Sequence, residues 1–329
     1  MTEIRILAGF LAVLLMGAYL SWFSEDAPAV RRIVLVDGDA RALERLELVT
    51  DTTTVSIEMR VDDAGARFPW IRHERKGASD RFVGGERVEE ALDRLVPLMA
   101  ERSLGEDLDP ETLGGMGLVP DSGRLEMTVG GDVRAFELGG RTGATDRGDY
   151  YLRRAGDDEV VLVAGRDLEA VERADRGRQR TIQSSEERDV ARFTVTAADR
   201  TVELLHQNRT DSDAFWALAS EPESKSDPAA RLVREVLRMS ITDFPDPEPT
   251  VPDARVRFEW FGADGEPLGW AELGTRDEDG RSIPIVKSPE THRWARMAGA
   301  VGRRVLKTAR ELTGSTSDAD GADASSESP

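Results

Sequence analysis

Apolar positions along this chain follow three patterns. Residues 6–23 (ILAGFLAVLLMGAYLSWF) are uncharged throughout. Residues 43–59 and 190–206 alternate apolar and polar on both sides of a polar turn, the period of a half-buried β-hairpin. Residues 88–104 and 228–244 place apolar residues three or four apart, the period of an amphipathic helix. Asp227 before Pro228 reads as an N-cap followed by proline at the first helical position.

The hairpin and helix patterns occur twice, in the same order. At one constant offset Leu43, Leu46, Leu48, Val55 and Ile57 fall on Val190, Phe193, Val195, Val202 and Leu204. Trp70 and Trp216 follow the two hairpins, as expected of anchors packing hairpin onto helix. RLEMTV from Arg124 aligns with RVRFEW from Arg255, FELGGR from Phe136 with AELGTR from Ala271, and DYYLRR from Asp149 with SIPIVK from Ser282. Gly165 and Gly299 open the last helical run of each copy. The expected fold is therefore α+β: an N-terminal transmembrane helix, then two tandem copies of a mainly antiparallel hairpin–helix–meander unit. The boundaries read as a flank at 1–5, an anchor at 6–23, repeats at 31–178 and 183–313, and an acidic tail at 314–329. That tail has no apolar residue larger than alanine, the composition of a disordered segment.

At 1.5 Å per residue the 6–23 run spans about 27 Å, close to the hydrocarbon thickness of a bilayer. Tyr19, Trp22 and Phe23 sit at one end, where aromatic rings favour the interface. A cleaved signal would need a small-residue site, and Ala27-Pro28-Ala29 is a poor one. The reading is a single-pass signal anchor in the inner membrane, with the bulk of the chain periplasmic.

Composition narrows the chemistry. The chain has 329 residues and a formal net charge of −19, from 44 Lys and Arg against 63 Asp and Glu. Such a charge repels nucleic acid at long range. With no cysteine, disulfides, thiolate catalysis and cysteine-based zinc sites are excluded. The three histidines, His73, His206 and His292, lie in different blocks without metal-binding spacing. Gly114-Gly115-Met116-Gly117 lacks the lysine of a phosphate loop and reads as a turn. Asp37-Gly38-Asp39 starts like a calcium loop but lacks its later glycine and glutamate. Tyr150 and Tyr151 are neighbours on a strand, so one ring points inward and the other outward.

The run GGMGLVPDSGRLEMTVGGDVRAFELGGRTGATDRGDYYLRR resembles the bacterial family known only as domain of unknown function number 4340. The elements carrying the likeness are Gly117, Leu118, Pro120, Gly139, Gly148, Tyr150 and Tyr151; Ile283-Pro284-Ile285 replaces the Tyr-Tyr in the second copy. The resemblance implies a membrane-anchored protein associated with ABC-type transport systems related to gliding motility. It brings no catalytic residues and no cofactor. The expected function is a non-enzymatic accessory protein, bound to the membrane and to a protein partner in a transport or envelope complex. The alternative is an envelope glycan or peptide hydrolase or transferase using acidic residues. No catalytic, cofactor-binding or metal residue is assigned.

Overall fold

The computed structural model describes residues 32–143 and 148–315. The first half builds β1 (Ile33–Val36), β2 (Leu43–Val49), β3 (Thr53–Val61), β4 (Arg67–Arg75), β5 (Ala78–Val83), α1 (Glu86–Leu95), β6 (Leu98–Gly105), α2 (Pro110–Gly115), β7 (Gly123–Val129), β8 (Asp132–Arg141), β9 (Tyr150–Arg154), β10 (Val160–Val163) and α3 (Gly165–Glu172). The second half builds β11 (Arg192–Ala197), β12 (Arg200–Gln207), β13 (Phe215–Leu218), α4 (Asp227–Leu237), β14 (Ile241–Asp243), β15 (Arg255–Phe261), β16 (Pro267–Glu278), β17 (Arg281–Lys287), β18 (Ala295–Met297) and α5 (Gly299–Thr313).

All these strands pair antiparallel. The 10-stranded sheet runs β1-β6-β10-β9-β8-β7-β2-β3-β4-β5 and the 8-stranded sheet β13-β12-β11-β15-β16-β17-β18-β14. Without β1 and β5, the first order matches the second read backwards. The hairpins also agree in register: Leu46 faces Ile57 and Leu48 faces Val55, as Phe193 faces Leu204 and Val195 faces Val202. All eight of these side chains are apolar, and all but Val202 are buried.

The structure corrects the expected α+β unit: the molecule is mostly antiparallel sheet. Both segments expected to be helical to their ends turn into strand. Pro97 has no backbone N–H and pushes the preceding residue out of the helical region, so Val96 is extended and α1 stops at Leu95. The chain continues as β6. Likewise α4 stops at Leu237 and Ile241 opens β14. Residues 67–83, expected to be a tryptophan and a loop, form the β4–β5 hairpin, turned at Lys76 and Gly77 with φ of 51° and 79°. The third block is also corrected. Val195 pairs with Phe258 while Leu48 pairs with Leu125, so Leu125 and Met127 correspond to Phe258 and Trp260, two residues further along than aligned above. A two-residue slip preserves the inward face, so alternation alone could not detect it.

The transmembrane and signal-anchor reading, with its inner-membrane placement, is corrected too. Among the described residues no helix is long and apolar enough to cross a membrane. The longest, α5, has 15 residues and carries Arg303, Arg304, Lys307 and Arg310, too short and too charged for a hydrocarbon core. Residues 6–23, where the anchor was placed, and 316–329 of the expected tail lie outside the described residues.

The two halves share one core. The β3–β4 turn reaches across: Asp62 Oδ2 lies 2.9 Å from His292 Nδ1, and Lys287 Nζ donates to Asp63 Oδ2 at 2.7 Å. Phe68 stacks on His292 at 4.7 Å, and Trp70 meets Phe244 edge-on while the Arg293 guanidinium lies 4.1 Å over its ring. Trp70 therefore joins the halves. Trp216, which follows the second hairpin, sits one register step away, where the first half has Pro69; it is enclosed in the second sheet, stacked 4.4 Å from His206 and donating to Glu187 Oε1 at 3.0 Å.

Candidate binding cleft

A cleft of about 640 Å³ opens in the first half where the turn after β2, the β8 C-terminus, β9 and the end of α3 converge. Most of the family-like residues quoted above lie in or beside it. Asp109 starts α2 by accepting from Thr112 N at 2.9 Å, with Pro110 at the first helical turn. The helix ends at Met116, and Gly117 turns with φ +73° so that Gly140 N can donate to Met116 O at 2.8 Å. A Cβ on Gly117 would sit 2.8 Å from Gly140 N, so a larger residue there would push the two segments apart.

The far wall comes from Tyr150 and Glu172 at the end of α3, and Gly148 and Asp149 beside the cleft tie the end of β8 to α3. Thr142 N donates to Asp149 O at 2.8 Å and Asp149 N to Thr142 Oγ1 at 2.9 Å. Gly165 N donates to Asp149 Oδ1 at 3.2 Å, and a side chain on Gly165 would collide with Gly148 O. The bare Gly165 therefore lets the start of α3 approach the backbone just before the tyrosine pair. Tyr150 is buried and Tyr151 half-buried.

Three side chains lock together in the cleft. Arg141 Nη2 donates to Glu172 Oε2 at 2.8 Å, and Tyr150 Oη donates to the same oxygen at 3.2 Å. The Arg141 guanidinium also lies 4.6 Å over the Tyr150 ring, and Glu169 Oε2 is 3.9 Å from its other amino group. His73 Nε2 lies 3.1 Å from Glu172 O; a carbonyl can only accept, so Nε2 carries the proton. Glu172 is thus held at both its backbone and its side chain.

Burial, reinforced by the Glu172 charge, pushes the Tyr150 phenol up to about 12. It is a neutral donor at physiological pH and cannot act as a base there. Burial works against the Arg141 charge, but Tyr150, Glu172 and Glu169 together outweigh it and push the guanidinium up. Arg75, Arg173, Asp51 and Asp121 complete the lining, so the cleft carries mixed charge. It can hold a polar ligand by hydrogen bonds from preset groups.

Sequence reading reached Gly117, Gly139, Gly148 and Tyr150 but missed Arg141, Glu172, Arg75 and Arg173. Elsewhere, Asp37-Gly38-Asp39 is a turn in which Asp39 accepts from Arg41 N at 2.8 Å. Gly114 and Gly115 end α2 rather than forming a free turn. The three histidines are dispersed, and among the described residues no group of three or more His, Cys, Asp or Glu could hold a metal.

Fold and cleft together define a two-sheet antiparallel protein with a preformed polar cleft in one half. A family model described as "Domain of unknown function (DUF4340)" matches residues 70–255, and the chain belongs to that family. The match starts in β4 and ends at the first residue of β15, taking in α1, α3 and most of the cleft. No curated protein and no solved structure matches the chain.

Proposed function

We propose that this protein is a non-enzymatic accessory module that uses the first-half cleft to grip a polar segment of a partner protein, as an auxiliary component of an ABC-type transport complex. The observation carrying this reading is the Arg141–Glu172–Tyr150 lock. Its charged groups are already satisfied, so the cleft keeps its shape without a ligand, and binding need not order it. A site built for proton transfer would instead keep a group with a pKa near neutrality, whereas Tyr150 is held neutral. The transport assignment comes from the family likeness.

The test uses quantitative affinity capture from cell extracts with the wild-type chain and Thr52→Trp. Thr52 is an exposed residue at the cleft mouth, so the indole occludes the cleft without disturbing the lock. Transporter subunits captured by wild type and depleted about tenfold by T52W, a difference of about 1.4 kcal/mol, support the reading. Equal capture by both, or no transporter subunit with either, refutes it.

A further inference from the structure

A second cavity, of about 400 Å³, lies between α1 and α3 and has an unusual charge for so acidic a chain. Arg87, Arg94, Arg166, Arg173 and Arg176 line it against only Glu90 and Glu169, whereas the whole chain carries −19.

The arginines come in two matched rows. Arg87 and Arg94 are seven positions apart on α1; Arg166 and Arg173 are seven apart along α3 and its C-cap. Seven residues make about two turns, or roughly 10.5 Å, so each pair lies near one helical face. Arg94 and Arg166 meet again in the adjoining recess that Arg32 also lines. The helices therefore run antiparallel, with Arg94 and Arg166 at one end of the groove and Arg87, Arg173 and Arg176 at the other.

Acid partners satisfy only part of this charge. Arg173 is paired with Glu169, Arg94 lies 3.9 Å from Glu90, and Arg166 lies 3.6 Å from Asp167. Neither Arg87 nor Arg176 makes an ion pair among the described residues. The Arg94 and Arg166 side chains are 53% and 76% exposed. Exposed guanidiniums facing each other across a groove repel one another, and an anion between them relieves that repulsion while accepting forked hydrogen bonds.

We infer that the α1–α3 groove binds a small soluble anion bearing two or more phosphoryl groups, with one end held by Arg94 and Arg166 and the other by Arg87 and Arg176. A long polyanion is disfavoured. Beyond a Debye length of about 8 Å at physiological salt, it would meet the net negative surface, whereas a small ligand stays within the local positive field. The groove is separate from the cleft and shares only Arg173 with it, so the two proposals stand or fall independently.

Calorimetric titration of the full chain with tripolyphosphate, inorganic phosphate and a single-stranded oligonucleotide, at low and high KCl, tests the inference. The variants are R94A/R166A and R87A/R176A, all at exposed positions, with thermal melting to confirm folding. If one is unfolded the other decides. Tripolyphosphate should bind at least about tenfold more tightly than phosphate, weaken with salt, and lose about tenfold in each folded variant. Absence of tripolyphosphate binding at low salt, unchanged binding in a folded variant, equal binding of phosphate, or tighter binding of the oligonucleotide overturns it.

Discussion

The corner formed by the third meander strand and the final helix exists in both halves, yet it is polar in one and apolar in the other. In the first half Tyr150 and Glu172 meet there with Arg141. The strand pairings Leu138–Leu152 and Leu273–Val286 make Pro284 the counterpart of Tyr150. Counting from Gly165 and Gly299, Leu306 is the counterpart of Glu172 and Gly302 that of Leu168. Pro284 packs directly against Gly302, where a Cβ would collide with its ring, and Leu306 is 3% exposed. The counterpart of Arg141 is Arg276, which turns instead toward Glu278 at 3.5 Å. One copy has closed its corner by apolar packing, and the other keeps it open with a satisfied ion pair.

The helices differ correspondingly. α3 has 8 residues and stops at the cleft, whereas α5 has 15. The chain after α5 crosses the matching edge: Arg200 donates to Gly314 O at 2.9 Å and Ser315 Oγ to Ala197 O at 3.3 Å. A smaller cavity of about 440 Å³, lined in part by Ala197, Ala198 and Ser315, remains there. One strand order therefore supports either a binding corner or a closed one, depending on two or three side chains and the helix length.

Exchanging those side chains should break the comparison at unequal cost. Leu306→Glu buries a carboxylate among apolar groups without a partner and should lower stability by about 4 kcal/mol or leave the chain unfolded, read as the urea midpoint. Gly302→Ala forces Pro284 and α5 apart and should cost about 1–3 kcal/mol by the same measurement. Glu172→Leu leaves the Arg141 guanidinium and the Tyr150 hydroxyl without their shared acceptor. It should cost about 2 kcal/mol, read as the same urea midpoint.

The smallest effect should come from Tyr150→Phe, about 1 kcal/mol at neutral pH, and it has a pH signature. In the unfolded chain the phenol ionises near its ordinary value of 10, and in the fold only near 12. Between those values the folded state holds the extra proton, so its stabilising contribution is complete below pH 10 and is lost as pH rises toward 12. The stability gap between wild type and Y150F should shrink across that interval. A gap constant to pH 12 would show that burial and the Glu172 charge do not hold the phenol neutral in the fold.

How much of this was legible in the sequence depended on period and on parity. The β2–β3 hairpin alternates from Leu46 onward and the β11–β12 hairpin from Phe193 to Leu204, and their pairing registers are those of the alternation. The β4–β5 hairpin hid behind Pro69, five lysine and arginine residues and an inward-facing His73, none of which marks a half-buried strand. Both helices were read too long because apolar residues continued past Leu95 and Leu237 into β6 and β14, and period alone does not see the change. The cleft glycines and Tyr150 came through the family likeness. Arg141 and Glu172 are single charges in a chain where charge is common, and no spacing picks them out. One signal could have done so: at the place where the second copy has Leu306, the first has Glu172, a carboxylate on the otherwise apolar inner side of a helix.

The two corners can be compared most directly by occluding each in turn and measuring capture of transporter subunits. Thr52→Trp fills the first, and Asp199→Trp places the same indole at the matching turn residue of the second, also exposed. Loss of capture with T52W and wild-type capture with D199W is the predicted result. Equal loss with both, or loss with D199W alone, would contradict the assignment of binding to the polar corner.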